Sequence, residues 1–235
     1  MATSANESAG LSGFAKEALA LLVRRRILVP AVVLTVLLTA SNIVILHNLP
    51  PEGARPGVAF GAAAFVRVAG LIVLAVAILR ILADSPRPAW RPDAGFWLYV
   101  LTFVLGAALS AAARRLIGSA GGSELATMIL GGIFVTLLTA PLAPWFTALA
   151  VERPVPWRPA AWVRNFRAWL LPLLVWMLLL VSPLAALHGA IDLHLLRGAG
   201  EWFWPLALVD GPISAAIALL SLALAAAAYR RVAQG

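Results

Sequence analysis

There is no cysteine in this 235-residue chain, which excludes disulfides, thiolate nucleophiles and cysteine-ligated metals. Charge is nearly as scarce. Only 12% of the residues are Asp, Glu, Lys or Arg and 62% are hydrophobic, whereas a soluble domain carries about a quarter charged residues. So few charges cannot clothe a water-exposed surface. Lys16 is the only lysine, so the net charge of +8 rests almost wholly on arginine. Those arginines flank apolar runs instead of forming one patch, which speaks against nucleic acid and for anionic lipid headgroups as partner. Also missing are a Gly-rich phosphate loop, a Ser/His/Asp motif, an HExxH spacing and an array of carboxylates inside the apolar runs. No catalytic residue, cofactor or metal is therefore expected, and the chain reads as a non-enzyme.

What is present is long apolar sequence. Mean hydropathy is +0.94. The apolar blocks run to about 20 residues, enough to cross a hydrocarbon core of roughly 30 Å. This predicts an all-α polytopic integral membrane protein with six transmembrane helices and amphipathic interfacial segments. Residues 1–10 read as a disordered tail and 11–235 as a single membrane domain, with spans at about 27–46, 58–82, 96–113, 125–150, 168–187 and 211–229. Leu11 to Arg26 has helical apolar spacing and is expected to lie on the membrane. A signal peptide is the rival reading of the first run, but that run continues through Ile45. Pro141 and Pro144 predict a kink near Leu137–Ala140. His188–Pro205 reads as a mixed loop. Asp210-Gly-Pro212 reads as the start of the sixth helix, with Asp210 as its N-cap.

The most basic stretch, Pro141–Trp169, interleaves arginine with aromatic rings as a membrane–water interface does. Arg158, Trp162, Arg164, Phe166, Arg167 and Trp169 are the candidate lipid-interface residues. On a helix, Trp162, Phe166 and Trp169 share one face while Arg164 and Arg167 project from another. Alternating the loops between two sides puts thirteen basic residues on the side of both termini and four on the other, with Arg67 left over. The positive-inside rule then places both termini in the cytoplasm. Alanine- and arginine-rich, lysine-poor usage points to a bacterial inner membrane. Arg24, Arg91 and Arg158 are evenly spaced and each precedes a span, so either a three-hairpin repeat or merely similar interfaces would explain them. Small residues crowd spans three and six, among them Gly106, Ala107, Ala215 and Ala225–Ala228. They suit a tight bundle, or a contact with a second copy or another membrane protein.

Two intramembrane charges stand out, Arg67 and Asp210. Arg67 either faces a partner, Asp210 or Glu124, or snorkels to the outer surface. His47, His188, His194 and Asp192 fall on the outer side and could converge on a metal, although no motif spacing supports it. From Trp145 to Leu180 a span end, an Ala-Val-Glu-Arg segment, an Arg/Trp segment with Asn165-Phe166 and a leucine-rich span follow one another. This order resembles bacterial six-helix proteins related to the membrane domain of glycerophosphoryl diester phosphodiesterases. That resemblance implies a membrane module without known catalysis. The expected function is to organise lipid or a partner protein through the basic belts. The alternatives are a small permease with a polar path near Arg67, and an outer-face metal-dependent lipid hydrolase.

Overall fold

The computed structural model describes residues 10–50, 54–119, 121, 123–152, 166–198 and 200–234. They are helical throughout, with no strand among them. The helices are α1 Leu11–Leu22, α2 Arg25–His47, α3 Val58–Leu82, α4 Ala94–Ser119, α5 Glu124–Thr139, α6 Ala143–Val151, α7 Phe166–Trp176, α8 Ser182–Leu196 and α9 Phe203–Gln234. Six stretches are long and apolar enough to cross a membrane: Arg25–His47, Val58–Leu82, Ala94–Ser119, Leu130–Val151, Trp169–Leu196 and Gly200–Ala233.

Prolines act as expected in one place and not in another. The fourth span breaks where Pro141 and Pro144 remove N–H donors: α5 ends at Thr139, a 3₁₀ turn covers Ala140–Leu142, and α6 follows. In the fifth span a π-helical turn, Met177–Val181, joins α7 to α8. The sixth helix does not begin at Asp210-Gly-Pro212 but runs through it from Phe203, so Asp210 is not an N-cap. The expected loop His188–Pro205 is likewise helical to Leu196. The cause is the same in both cases. Unpaired backbone groups are so costly in an apolar medium that a helix persists through polar residues and proline that would end it in water.

The chain is built around its last helix. α9 packs against α1, α2, α3, α6, α7 and α8. Its small residues make this possible: Ala215, Ala223, Ala226, Ala227 and Ala228 are buried. A Cβ at Gly211 would lie 2.7 Å from the Cα of Thr39, so α9 and α2 cross in contact there. Gly106 and Ala107 of α4, by contrast, are not buried. α1 packs on the bundle with one face. Its face of Phe14, Ala15, Ala18 and Leu21 is buried against the bundle, and the indole of Trp176 donates to the Leu11 carbonyl at 2.8 Å.

One end of the bundle holds the ends of α1, α3, α6 and α9 together with ion pairs. Asp84 accepts from Arg24 and Arg230, and Arg231 from α9 reaches Glu17 at 3.2 Å. Deeper in, Arg80 is only 2% exposed. Its Nε donates to the Ala150 carbonyl, its Nη1 to the carbonyls of Pro88 and Arg91, and its Nη2 to Asp93 at 2.6 Å. Arg87 also pairs with Asp93 and donates to the Glu152 carbonyl. Asp93 in turn caps α4 by accepting from the Phe96 N–H. Arg24 and Arg91, two of the three evenly spaced arginines, thus do different work: Arg24 pairs through its side chain, while Arg91 offers its carbonyl.

This end should be acid-sensitive. The Arg24 hydrogen bond holds the Asp84 carboxyl below its usual range, against a smaller opposing effect of burial. Burial pushes Asp93 up, but the Phe96 N–H and the charges of Arg80 and Arg87 together outweigh it and leave it low. Both groups are more acidic folded than unfolded. Their stabilisation is complete above the unfolded value of about 4 and disappears as pH falls through the folded values. Burial raises Glu152, whose protonation favours the fold as pH falls, so it does not add to the loss. Melting in detergent should therefore show Tm falling steeply below about pH 4, with a shallower fall in Asp84→Asn. A Tm at pH 3 equal to that at pH 7 would contradict this.

Candidate functional site

The two intramembrane charges read from sequence belong to one hydrogen-bonded chain, joined by residues the sequence did not single out. Arg67 lies nine residues into α3, about 14 Å from its start. Its Nη1 donates to Asn42 Oδ1 at 2.8 Å, so it points at α2 and does not only snorkel. The Asn42 amide nitrogen donates to Asp210 Oδ2 at 2.9 Å. The other oxygen of Asp210 lies 2.6 Å from His188 Nδ1, which also lies 3.3 Å from Ser214 Oγ. The opposite ring nitrogen, Nε2, faces Asp192 Oδ2 at 3.4 Å. Arg67 and Asp210 are thus linked through Asn42, an amide in the last third of α2. Arg67 itself meets no carboxylate among the described residues.

Local structure explains the convergence. His188 and Asp192 are four apart on α8 and share a face, as do Asp210 and Ser214 on α9. The contact of Gly211 with Thr39 draws α9 onto α2 one residue from Asp210 and three from Asn42. Asp210 is wholly buried, and Asn42 is 5% exposed. Each buried polar atom of this group has a partner, as a low-dielectric site requires. Ser214, His188 and Asp210 do not form a hydrolytic triad. Both the hydroxyl and the carboxylate sit at Nδ1, whereas a triad needs them at opposite nitrogens.

A cavity of about 340 Å³ opens beside this group, among α2, α3, α4, α8 and α9. α4 packs on α5 and α6 and only lightly on α3, which leaves the space. Arg67, His188 and Ser214 form its polar wall; Leu38, Leu71, Phe103 and Leu222 are among the apolar residues of the rest.

The other predicted site residues are placed differently. Arg158, Trp162 and Arg164 lie outside the described residues. Phe166 and Arg167 begin α7, and nothing more is described of their side chains. Trp169 is 1% exposed and sits in the core, so its ring does not lie at a lipid boundary. α7 packs against α1 and α9, and an indole buries more apolar surface there than at an interface. The outer histidines do not gather. His47 packs on the rings of Phe203 and Trp204, His194 is exposed, and only His188 joins Asp192 and Asp210. A polar pair, Ser41-Asn42, in the middle of an apolar run was the signal that could have found the missing link. No family model matches this chain, and neither a curated protein nor a solved structure matches it, so nothing in these comparisons bears on the resemblance carried by Trp145–Leu180.

Proposed function

We propose that the chain is a non-enzymatic, multi-pass protein of a bacterial inner membrane, with both termini in the cytoplasm, that holds an anionic amphiphile in the cavity beside Arg67. One observation carries the reading. A guanidinium deep in a membrane span is hydrogen-bonded to a neutral amide and lines a cavity whose remaining wall is mostly apolar. A charge at that depth is retained where it meets a partner or a polar cavity. A phosphate or carboxylate headgroup supplies the missing anion, and guanidinium binds such groups with charge-assisted hydrogen bonds. The hydrocarbon part suits Leu38, Leu71, Phe103 and Leu222. A larger groove of about 720 Å³ between α2 and α3 has no charged side chain in its wall and offers no such anchor. The belt from Arg158 to Arg167 would add attraction for anionic lipid at the cytoplasmic face.

The test is lipid binding by the purified protein, with phosphatidylglycerol compared against phosphatidylcholine by native mass spectrometry. The wild type should prefer phosphatidylglycerol. Arg67→Gln should lower its affinity by about tenfold or more, since a hydrogen bond to a charged group contributes roughly 1.5–3 kcal/mol, and leave phosphatidylcholine unchanged. No preference in the wild type, or a preference that survives Arg67→Gln, would refute the cavity as the site.

A further inference from the structure

The contacts of His188 raise a question that the lipid reading does not answer. Asp210 is wholly buried and lies 2.6 Å from Nδ1, so Nδ1 carries a proton and donates it to this carboxylate. In the neutral ring Nε2 is then a lone pair. Another acceptor, Asp192 Oδ2, lies 3.4 Å from it. That approach calls for a positive charge between the two, either a proton on Nε2 or a metal ion.

We infer that His188 Nε2 and Asp192 Oδ2 are ligands of a divalent transition-metal ion of the zinc class, with Asp210 as the positioning residue behind the histidine. Three features agree with this. Two ligand atoms at about 2.0–2.1 Å from tetrahedral zinc stand about 3.4 Å apart, the separation found here. A carboxylate that accepts from the far nitrogen of a ligating imidazole is the usual support of such a site, fixing the tautomer and raising ligand basicity. His188, Asp192 and Asp210 also cluster closely enough, with atoms within 4.8 Å of one another, for the supporting carboxylate to sit directly behind the ligand pair. Access is available: the side chains of His188 and Asp192 are 24% and 29% exposed, and Asp192 is one helical turn from the end of α8. Nitrogen with carboxylate oxygen suits zinc, cobalt or manganese better than a purely oxygen-seeking ion. Water would complete the coordination. The metal site adjoins the lipid cavity, whose wall His188 shares, but Arg67 is not one of its ligands.

The experiment is a titration of the full chain in detergent with Co²⁺, followed by displacement with Zn²⁺. One equivalent of Co²⁺ should bind with visible absorption of tetrahedral or five-coordinate intensity, and Zn²⁺ should abolish it. Asp192→Asn and His188→Ala should each remove saturable binding. Asp210→Asn should weaken it about 10- to 100-fold. Arg67→Gln should keep saturable metal binding, with affinity equal or higher because a nearby positive charge is gone, while losing the phosphatidylglycerol preference, so the two readings fail separately. Absence of stoichiometric binding would overturn the inference and identify the cation between the two acceptors as a proton. Binding that persists in Asp192→Asn, or that Asp210→Asn leaves unchanged, would overturn the assigned roles. Near-normal melting of Asp192→Asn, which keeps the side-chain shape, guards against loss of binding by unfolding.

Discussion

Arg80→Met is expected to lower stability by about 3–5 kcal/mol. Methionine keeps the length of the stem but carries no donor. Four hydrogen bonds disappear, to the carbonyls of Ala150, Pro88 and Arg91 and to Asp93. The acceptors they leave are at a buried position where water does not replace the guanidinium, so the cost is that of orphaned polar groups as well as lost contacts. The damage should be structural in a specific way. Arg80 ties the end of α3 to the end of α6 and to the segment that enters α4. Chymotrypsin or trypsin cleavage within residues 83–93 should therefore rise in Arg80→Met. Arg80→Lys should recover only part of the stability, because one ammonium cannot reproduce the planar fork. A melting temperature within a degree or two of wild type, with unchanged proteolysis, would show that this buried arginine is dispensable.

Asp210→Leu is the second large effect, expected at about 3 kcal/mol. Leucine removes the acceptor that Asn42 and His188 share. Arg67 then keeps its link to Asn42 but loses the buried carboxylate beyond it, so less negative charge balances this membrane-embedded cation. Asp210→Asn should cost clearly less, since the amide can still accept from one neighbour. Combining Asp210→Leu with Arg67→Leu should cost less than the sum of the two, since the second change removes the charge that the first one exposes. Melting in lipid nanodiscs of one composition measures all three. Full additivity would mean that Arg67 and Asp210 are energetically independent despite the hydrogen-bonded chain between them.

The two variants mark where sequence and tertiary structure each did the deciding. Six helices long and apolar enough to cross a membrane were legible in the sequence because span length and apolarity are set by bilayer thickness, a constraint local to each run. The break at Pro141 and Pro144 was legible too, because a missing N–H acts on its own helix. Arg67 and Asp210 stood out individually because charge is rare in such runs. Their connection did not, because it passes through Asn42, 25 residues from one and 168 from the other. The boundaries around His188 and Asp210 were misread because polar residues and proline end helices in water but not in an apolar surround. Nothing in the sequence set Arg80 apart from the other arginines. Only packing showed it to be buried, since burial depends on which carbonyls the other helices bring near. Trp169 looked interfacial for the same reason in reverse: its surrounding composition fits a headgroup region, but its side chain is buried in the core. By itself, then, the sequence determined the helical class and the six stretches long and apolar enough to cross a membrane, both of which follow from local composition. The tertiary structure alone decided which polar side chains meet inside the bundle, because that depends on how closely helices cross, and at Gly211 against Thr39 the crossing distance is set by a hydrogen in place of a side chain.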